Sequence, residues 1–280
     1  MGEPICANLL RKSGCRVQGF DLRQEPLARL GKQGLETRGS PEDAARDASV
    51  VFLSLPGGPE LAEVGERLLG AMEPGAVLVD LTTAPVDLTR ALAARFAARA
   101  IAYADAPVAR TRFAAERGEL SVMVGADAHT FRRIEPYLRC FASDVLHCGP
   151  VGAGQVTKLM NNMVLFEIGA AIAEALAIAR RSGVEPEVLL EALSKGSADS
   201  FALRNHGRNA MLPGTYPERA FSTRYALKDL EYALALAAQA GVDASGARLV
   251  HARFTRAIAA GDGERYWPVI AEHVAVDEGA

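Results

Sequence analysis

The chain is poor in the residues that build metal centres and covalent frameworks. Its four cysteines, Cys6, Cys15, Cys140 and Cys148, show no CxxC spacing, and its five histidines, His129, His147, His206, His251 and His273, no HxxxH or HxH spacing. This excludes the usual zinc patterns and gives no reason to expect disulfides. The N-terminus has no basic-then-apolar export signal, so the expected location is a reducing cytoplasm. No block of like charge is present either: 31 basic and 34 acidic residues leave a net charge of −3. Neither nucleic acid nor an anionic membrane is an expected partner. The longest apolar stretch, 163–179, is interrupted by Glu167 and Glu174, and so reads as a buried helix and not a membrane span. Ser54 follows a strand but has no GxSxG elbow around it, so serine hydrolysis is unsupported. The single tryptophan, Trp267, is expected in the core or at a subunit contact.

What is present suits a binder of small molecules. With 280 residues, 49% of them hydrophobic, the chain can bury a sizeable core, and two domains are expected. Residues 1–150 alternate β-rich runs with helical stretches, the pattern of a parallel sheet covered by helices. The strand candidates are 16–20, 49–55 (SVVFLSL), 76–81 (AVLVDL), 101–105, 120–125 (LSVMVG) and 144–147. The second and third, nearly all apolar, read as central strands. Ser40 with Pro41 marks a helix start, and Gly14 closes the first helix. After Gly149-Pro150 the β-rich runs stop. A helical pattern runs from about Gly154 to Arg181, and further helices begin near Glu185, Ala198, Ser222 and Ala244. The reading is an α/β Rossmann-type domain over 1–150 and an all-α domain over 151–280, joined by a long interdomain helix. Residues 274–280 are expected to fray.

A dinucleotide fold opens with a strand, a glycine-rich turn and a helix whose N-terminus faces the phosphates. Here Met1-Gly2 is followed at once by a helix, so the first strand of the unit is expected upstream, with an apolar run and a GxGx turn. Asp21 lies 19 residues after Gly2 and ends a strand. At that spacing an acidic side chain meets the adenosine ribose hydroxyls and repels the additional phosphate of NADP, which favours NAD.

Several segments between Met1-Gly2 and about residue 235 resemble the β-hydroxyacid dehydrogenases, the family that includes 3-hydroxyisobutyrate dehydrogenase. MGEPICANLL resembles the end of that family's GxGxMGxPMAxNL stretch. LSLPGG at 53–58 and DLTTAP at 80–85 follow strands, and the resemblance implies that Leu55 and Pro56 line the cofactor and that Thr82 and Thr83 lie by its nicotinamide ribose. DAPVARTRFAAERGELSVMVGAD at 105–127 resembles the substrate segment at both ends. Ala109, Arg110 and Thr111 stand where the family has Ser-Gly-Gly holding the substrate carboxylate. Two readings of Arg110 follow: a bidentate anion contact, or an exposed side chain paired with Glu116.

GPVGAGQVTKLMNNM at 149–163 resembles the family's catalytic stretch almost residue for residue. Gly152 and Gly154 are expected to let the chain pass beneath the nicotinamide, and Lys158 and Asn162 then share a helix face at i and i+4. FSTRYALKDLEYALALA at 221–237 resembles the FxxxLxxKDLxLA segment, which implies Phe221 by the nicotinamide, Lys228 near the cofactor and Asp229 structuring the site.

The resemblance implies hydride transfer between a nicotinamide cofactor and a small anionic β-hydroxy acid by a homodimer or homotetramer. Lys158 would act as general acid/base, because burial disfavours its ammonium form. Asn162 would bond the substrate hydroxyl or orient the lysine. The alternatives are an imine-type reductase, whose relatives usually lack a lysine at that position, and a non-catalytic homologue with an incomplete nucleotide site.

Overall fold

The structure, a computed structural model, describes residues 1–218 and 220–274. The expected frayed tail falls, beyond residue 274, outside the described residues. The chain divides into two compact units, Met1–Lys158 and Leu159 onward.

The first unit is α/β, as expected, but its sheet is mixed and comes in two parts. A two-stranded parallel sheet pairs β1 (Gln18–Gly19) with β2 (Glu36–Thr37). The larger sheet runs β3 (Val50–Leu53), β4 (Val77–Asp80), β5 (Ala102–Asp105), β7 (Leu120–Gly125), β6 (Val108–Ala109), and β8 (Ala142–Gly149) also pairs with β7. β3, β4 and β5 are parallel, while β7 is antiparallel to both β5 and β6. β5, the link 106–107 and β6 run in one direction along β7, and the chain reverses through residues 110–119, so β7 pairs antiparallel with both. β4 is central and buried along its whole length, whereas β3, expected to be equally covered, is an edge strand and only half-buried.

Alternation along β4 explains the layers. Val77 and Val79 enter one core with Ile5 and Leu9 of α1 (Gly2–Lys12), Ala114 and Ala115 of α6 (Arg112–Arg117), and Ile134 and Leu138 of α7 (Ala128–Leu138). Leu78 enters the opposite core with Leu61 and Leu68 of α4 (Gly58–Leu69) and Leu92 and Phe96 of α5 (Val86–Ala97). Each of these valines, leucines, isoleucines and the phenylalanine contributes about 1.5–3 kcal/mol by leaving water. Short helices α2 (Gln24–Gly31) and α3 (Pro41–Ala45) flank β2, the latter capped by the Ser40 hydroxyl, which accepts from the Asp43 N–H.

The second unit is built on α8 (Ala153–Arg181), a helix of 29 residues. Among the described residues it alone is long and apolar enough to cross a membrane, with a mean hydropathy of 1.7. Its Phe166, Ala170, Ala173 and Leu176 are packed into the core of this unit. Glu174, one of the two acids that interrupt its apolar run, pairs with Arg253. The ring of Trp267, fully buried, stands edge-on to Phe166 at 5.2 Å and lies against Gly169, where any Cβ would collide with it. Three more helices, α9 (Pro186–Lys195), α10 (Thr223–Gln239) and α11 (Ser245–Ala259), begin close to the expected starts. The helix expected from Ala198 is instead a π-helix, Leu203–Met211, with Gly207 against Ile172 near its middle. The unit is not wholly helical either: Glu218 bridges Arg265, and Ser222 bridges Tyr266.

Candidate active site

The nucleotide-site candidates of the first unit gather at the C-terminal ends of parallel strands. α1 begins beside the end of β3, where a Cβ on Gly2 would stand 3.4 Å from that of Ser54. Asp21 follows β1, is near enough to the start of α1 for its charge to be felt at Met1, and accepts the Arg23 N–H at 2.8 Å. Leu55 donates its N–H to the Thr82 hydroxyl at 3.1 Å, tying the loop after β3 to the loop after β4. Pro56 is exposed beside it, and Thr83 is half-buried. Thr82 in turn donates its N–H to Asp80 Oδ1 at 2.9 Å, and the Tyr103 hydroxyl donates to Asp80 Oδ2 at 3.2 Å. Asp80 is fully buried, and desolvation, only partly offset by the Thr82 and Tyr103 hydrogen bonds, pushes its carboxyl up to about 7.

A second buried acid fixes the start of α8. Asp105 and Asp80 are register partners on adjacent strands. Asp105 Oδ1 accepts the Gly152 N–H at 2.6 Å and Oδ2 the Gln155 N–H at 2.8 Å. Burial pushes its carboxyl up to about 6, against the lowering effect of those same N–H groups. Gln155, fully buried, donates through Nε2 to the Thr82 carbonyl at 2.7 Å and accepts the Ala84 N–H on Oε1 at 3.1 Å. The glycines of this stretch serve packing. A Cβ on Gly154 would run into the Met123 carbonyl and stand 2.8 Å from the Asp105 carbonyl, and Gly152 has φ +93° with Arg90 beside it. Lys158, one turn after Gly154 on the same face, is 8% exposed. Sequence reasoning assigned Asp80, Asp105 and Gln155 no role. The available signal was an acid closing each of two apolar strands, VLVD and AYAD, since a buried carboxyl needs partners.

The segment 109–111 departs from expectation. Arg110 sits at φ +82°, backbone that favours glycine. Its guanidinium donates to the Glu119 carbonyl at 2.6 Å, to the Ser143 hydroxyl at 2.8 Å and to Asp144 at 2.7 Å. The expected pairing with Glu116 is not formed, because Glu116 pairs with Arg112 one helical turn away. The Thr111 hydroxyl caps α6 by accepting the Ala114 N–H, and Ala109 lies in β6. With its guanidinium occupied by β8, Arg110→Ala is expected to lower stability by about 1 kcal/mol. Its KM for anionic substrates should stay within about 2-fold of wild type; a tenfold rise in steady-state assays would restore the anion contact.

In the second unit, Asn162 is 2% exposed and donates Nδ2 to Asp229 Oδ2 at 2.7 Å. Its Oδ1 accepts from Asn161 at 3.0 Å and keeps a second lone pair. Lys228 donates to Asp229 Oδ1 at 2.7 Å and lies over the ring of Tyr232 at 4.9 Å. Asp229 thus fixes both side chains. Phe221, half-buried, lies 5.9 Å from Phe166, ring to ring.

Both units are similar to known proteins. Residues 1–149 match the family model described as the NAD binding domain of 6-phosphogluconate dehydrogenase. Residues 152–267 match the one described as the NAD-binding domain of NADP-dependent 3-hydroxyisobutyrate dehydrogenase. The 3-hydroxyisobutyrate dehydrogenase of Pseudomonas aeruginosa is 35% identical over 254 residues, 88% of this chain and 84% of that protein. The 2-(hydroxymethyl)glutarate dehydrogenase of Eubacterium barkeri is 33% identical over 237 residues, 84% of this chain and 78% of that one. Among solved structures, Mycobacterium tuberculosis 3-hydroxyisobutyrate dehydrogenase with L-serine superposes with a TM-score of 0.89 at 28% identity, covering 99% of this chain and 96% of that one. The chain belongs to the β-hydroxyacid dehydrogenase family, nicotinamide-dependent oxidoreductases acting on CH–OH groups.

Proposed function

We propose that the protein transfers hydride between NAD and a small anionic β-hydroxy acid, with Lys158 as the general acid/base. The observation that carries this reading is a lysine buried to 8% exposure, one turn before a buried asparagine, on a helix whose first turn is hydrogen-bonded to the ends of β4 and β5. In alcohol oxidation the substrate carbon loses hydride and its hydroxyl loses a proton, and Lys158 Nζ takes that proton. In reduction it returns the proton to the forming alkoxide. Asn162, with one Nδ2 hydrogen held by Asp229, has the other to donate to the substrate hydroxyl oxygen without imposing a charge. The nicotinamide supplies the redox chemistry when bound.

The residues at the strand ends fit a dinucleotide. The N-terminus of α1 offers unpaired N–H groups and a positive dipole end to phosphate. Gly2, Leu55, Pro56, Thr82 and Thr83 would border it. Asp21 would accept the ribose hydroxyls and repel the phosphate of NADP, which argues for NAD even though one matching family model carries NADP in its description. The substrate carboxylate would be met by the backbone of 109–111, since the Arg110 and Thr111 side chains are engaged elsewhere. A homodimer or homotetramer is supported by Val164, Ala171 and Ile178, exposed apolar residues repeating every seventh position of α8.

A panel of small β-hydroxy acids, assayed with NAD and with NADP, tests the reading. The expected result is turnover of at least one three- to five-carbon acid, with kcat/KM for NAD about tenfold or more above that for NADP. Equal use of both cofactors would remove the role given to Asp21. No turnover of any hydroxy acid would remove the substrate class.

A further inference from the structure

We infer that Asp105 and Gln155 are positioning residues, a polar clamp that seats the first turn of α8 on the ends of β4 and β5 and thereby sets where Lys158 Nζ lies. The inference rests on the role proposed for Lys158.

The first amides of a helix have no partner within it and normally turn to water or to one capping side chain. At the start of α8 the amides of Gly152, just before the helix, and of Gln155 instead point into the protein and share one carboxylate, Asp105, which projects from β5. The carboxylate is acceptor-only, so each oxygen can hold one N–H at 2.6 and 2.8 Å. Gln155 holds the adjacent loop from the helix side, with its amide donating to the Thr82 carbonyl and accepting from the Ala84 N–H. These four bonds come from two strand ends and converge on one helical turn.

Two missing side chains make the seat possible. A Cβ on Gly125 would collide with Asp105 Oδ1 and reach within 2.8 Å of Oδ2, and a Cβ on Gly154 would stand 2.8 Å from Oδ2. The helix backbone therefore rests directly on β5 and β7. The face that rests there is the face bearing Lys158, because Gly154 and Lys158 are four residues apart. A loosening of the seat moves the lysine with it. Misplacing a catalytic group by about 1 Å costs on the order of 100-fold in rate.

A simple helix cap would stabilise the fold and do nothing else. The test separates the two roles. Asp105→Asn keeps the shape but turns an N–H donor toward one of the two helix amides. The expected result, measured well below the melting temperature of each variant, is a kcat lowered by about 10- to 100-fold with KM and the NADH dissociation constant within about 2-fold of wild type. Gln155→Ala, which leaves Asp105 intact, is expected to lower kcat by about 10-fold and serves if the asparagine variant does not fold. In a Lys158→Ala background neither substitution should lower the residual rate further. In the wild-type protein the Gln155 amide should exchange with deuterium slowly for a first-turn amide, and faster in Asp105→Asn.

Wild-type kcat in both variants overturns the clamp, as does an undiminished loss in the Lys158→Ala background. Full turnover by Lys158→Ala alone removes the lysine from the reaction, whereas fast exchange at Gln155 in the wild type removes the seat. The two failures are therefore distinguishable.

Discussion

Lys158→Ala is expected to lower kcat by about 10²- to 10⁴-fold while NADH binding, followed by fluorescence quenching, stays within about 2-fold. The loss is large because no other proton carrier stands on that turn: Gly154 precedes Lys158 on its face of α8, and Asn162, which follows, is neutral. Lys158→Arg should be almost as slow despite keeping the positive charge, since a guanidinium does not release its proton in the working range. That pair of variants separates proton transfer from electrostatic binding of an anionic substrate. An arginine variant with wild-type turnover would mean that Lys158 acts by charge alone. Asp229 should behave differently, because it fixes Asn162 and Lys228.

Asp80→Asn is expected to flatten the fall in stability between pH 5 and pH 8, so that the variant gains on wild type as pH rises across that range. The Asp80 carboxyl titrates at about 7 in the folded chain, raised by burial from its ordinary value near 4. A carboxyl with a raised folded pKa gives its full stability contribution below the unfolded value, where it is protonated in both states. That contribution is lost as pH rises from about 4, where the unfolded chain ionises, to about 7, above which the folded chain ionises too and the loss levels off. For Asp80 the loss between pH 5 and pH 8 amounts to about 3 kcal/mol, and Asp105, titrating at about 6, adds about 1 kcal/mol in the same direction. The asparagine cannot ionise. It can still accept the Thr82 N–H, and its amide can donate to Tyr103, so the larger part of that loss should disappear. Urea melts at the two pH values measure it. An Asp80→Asn protein whose stability falls as steeply as that of wild type between pH 5 and pH 8 would show that Asp80 stays ionised across that range.

What could be read from the residues alone follows from how local the determining forces are. The start of α3 was legible because Ser40 and Pro41 carry their own capping chemistry. β7 was legible to its last residue because LSVMVG is apolar and ends in glycine. The antiparallel pairing of β5 and β7 was not, since parallel and antiparallel strands bury the same side chains and the connecting residues 106–119 carry no local signal for direction. β6, of two residues, is too short for any periodicity. Lys158 and Asn162 were visible through the resemblance of their segment to a family. Asp229 was named with them by the same resemblance, but the bonds that seat α8 were not visible, because Asp105 and the Thr82 carbonyl are brought to it from 48 or more residues away in sequence. Arg110 shows the converse: its residue type left an anion contact and a pairing with Glu116 both open, and the partners it has, Ser143 and Asp144, come from another strand.

The division of the sheet into two parts also has a thermodynamic side. β1 and β2 are held to each other by a ladder of two residue pairs, with Leu27, Leu30 and Leu35 as their small buried cluster. A patch of that size, packed on Cys6, Ala7 and Leu10 of α1, is expected to open before the larger sheet does. A dinucleotide gripped at one end by Asp21 and at the other by the loops after β3 and β4 would bind only the closed patch, and would so stabilise it by mass action. At a hundredfold excess over its dissociation constant that linkage is worth about 2.7 kcal/mol. The cofactor would then act here as a fastener for the outermost strands, and the local unfolding of residues 16–38 would report its concentration.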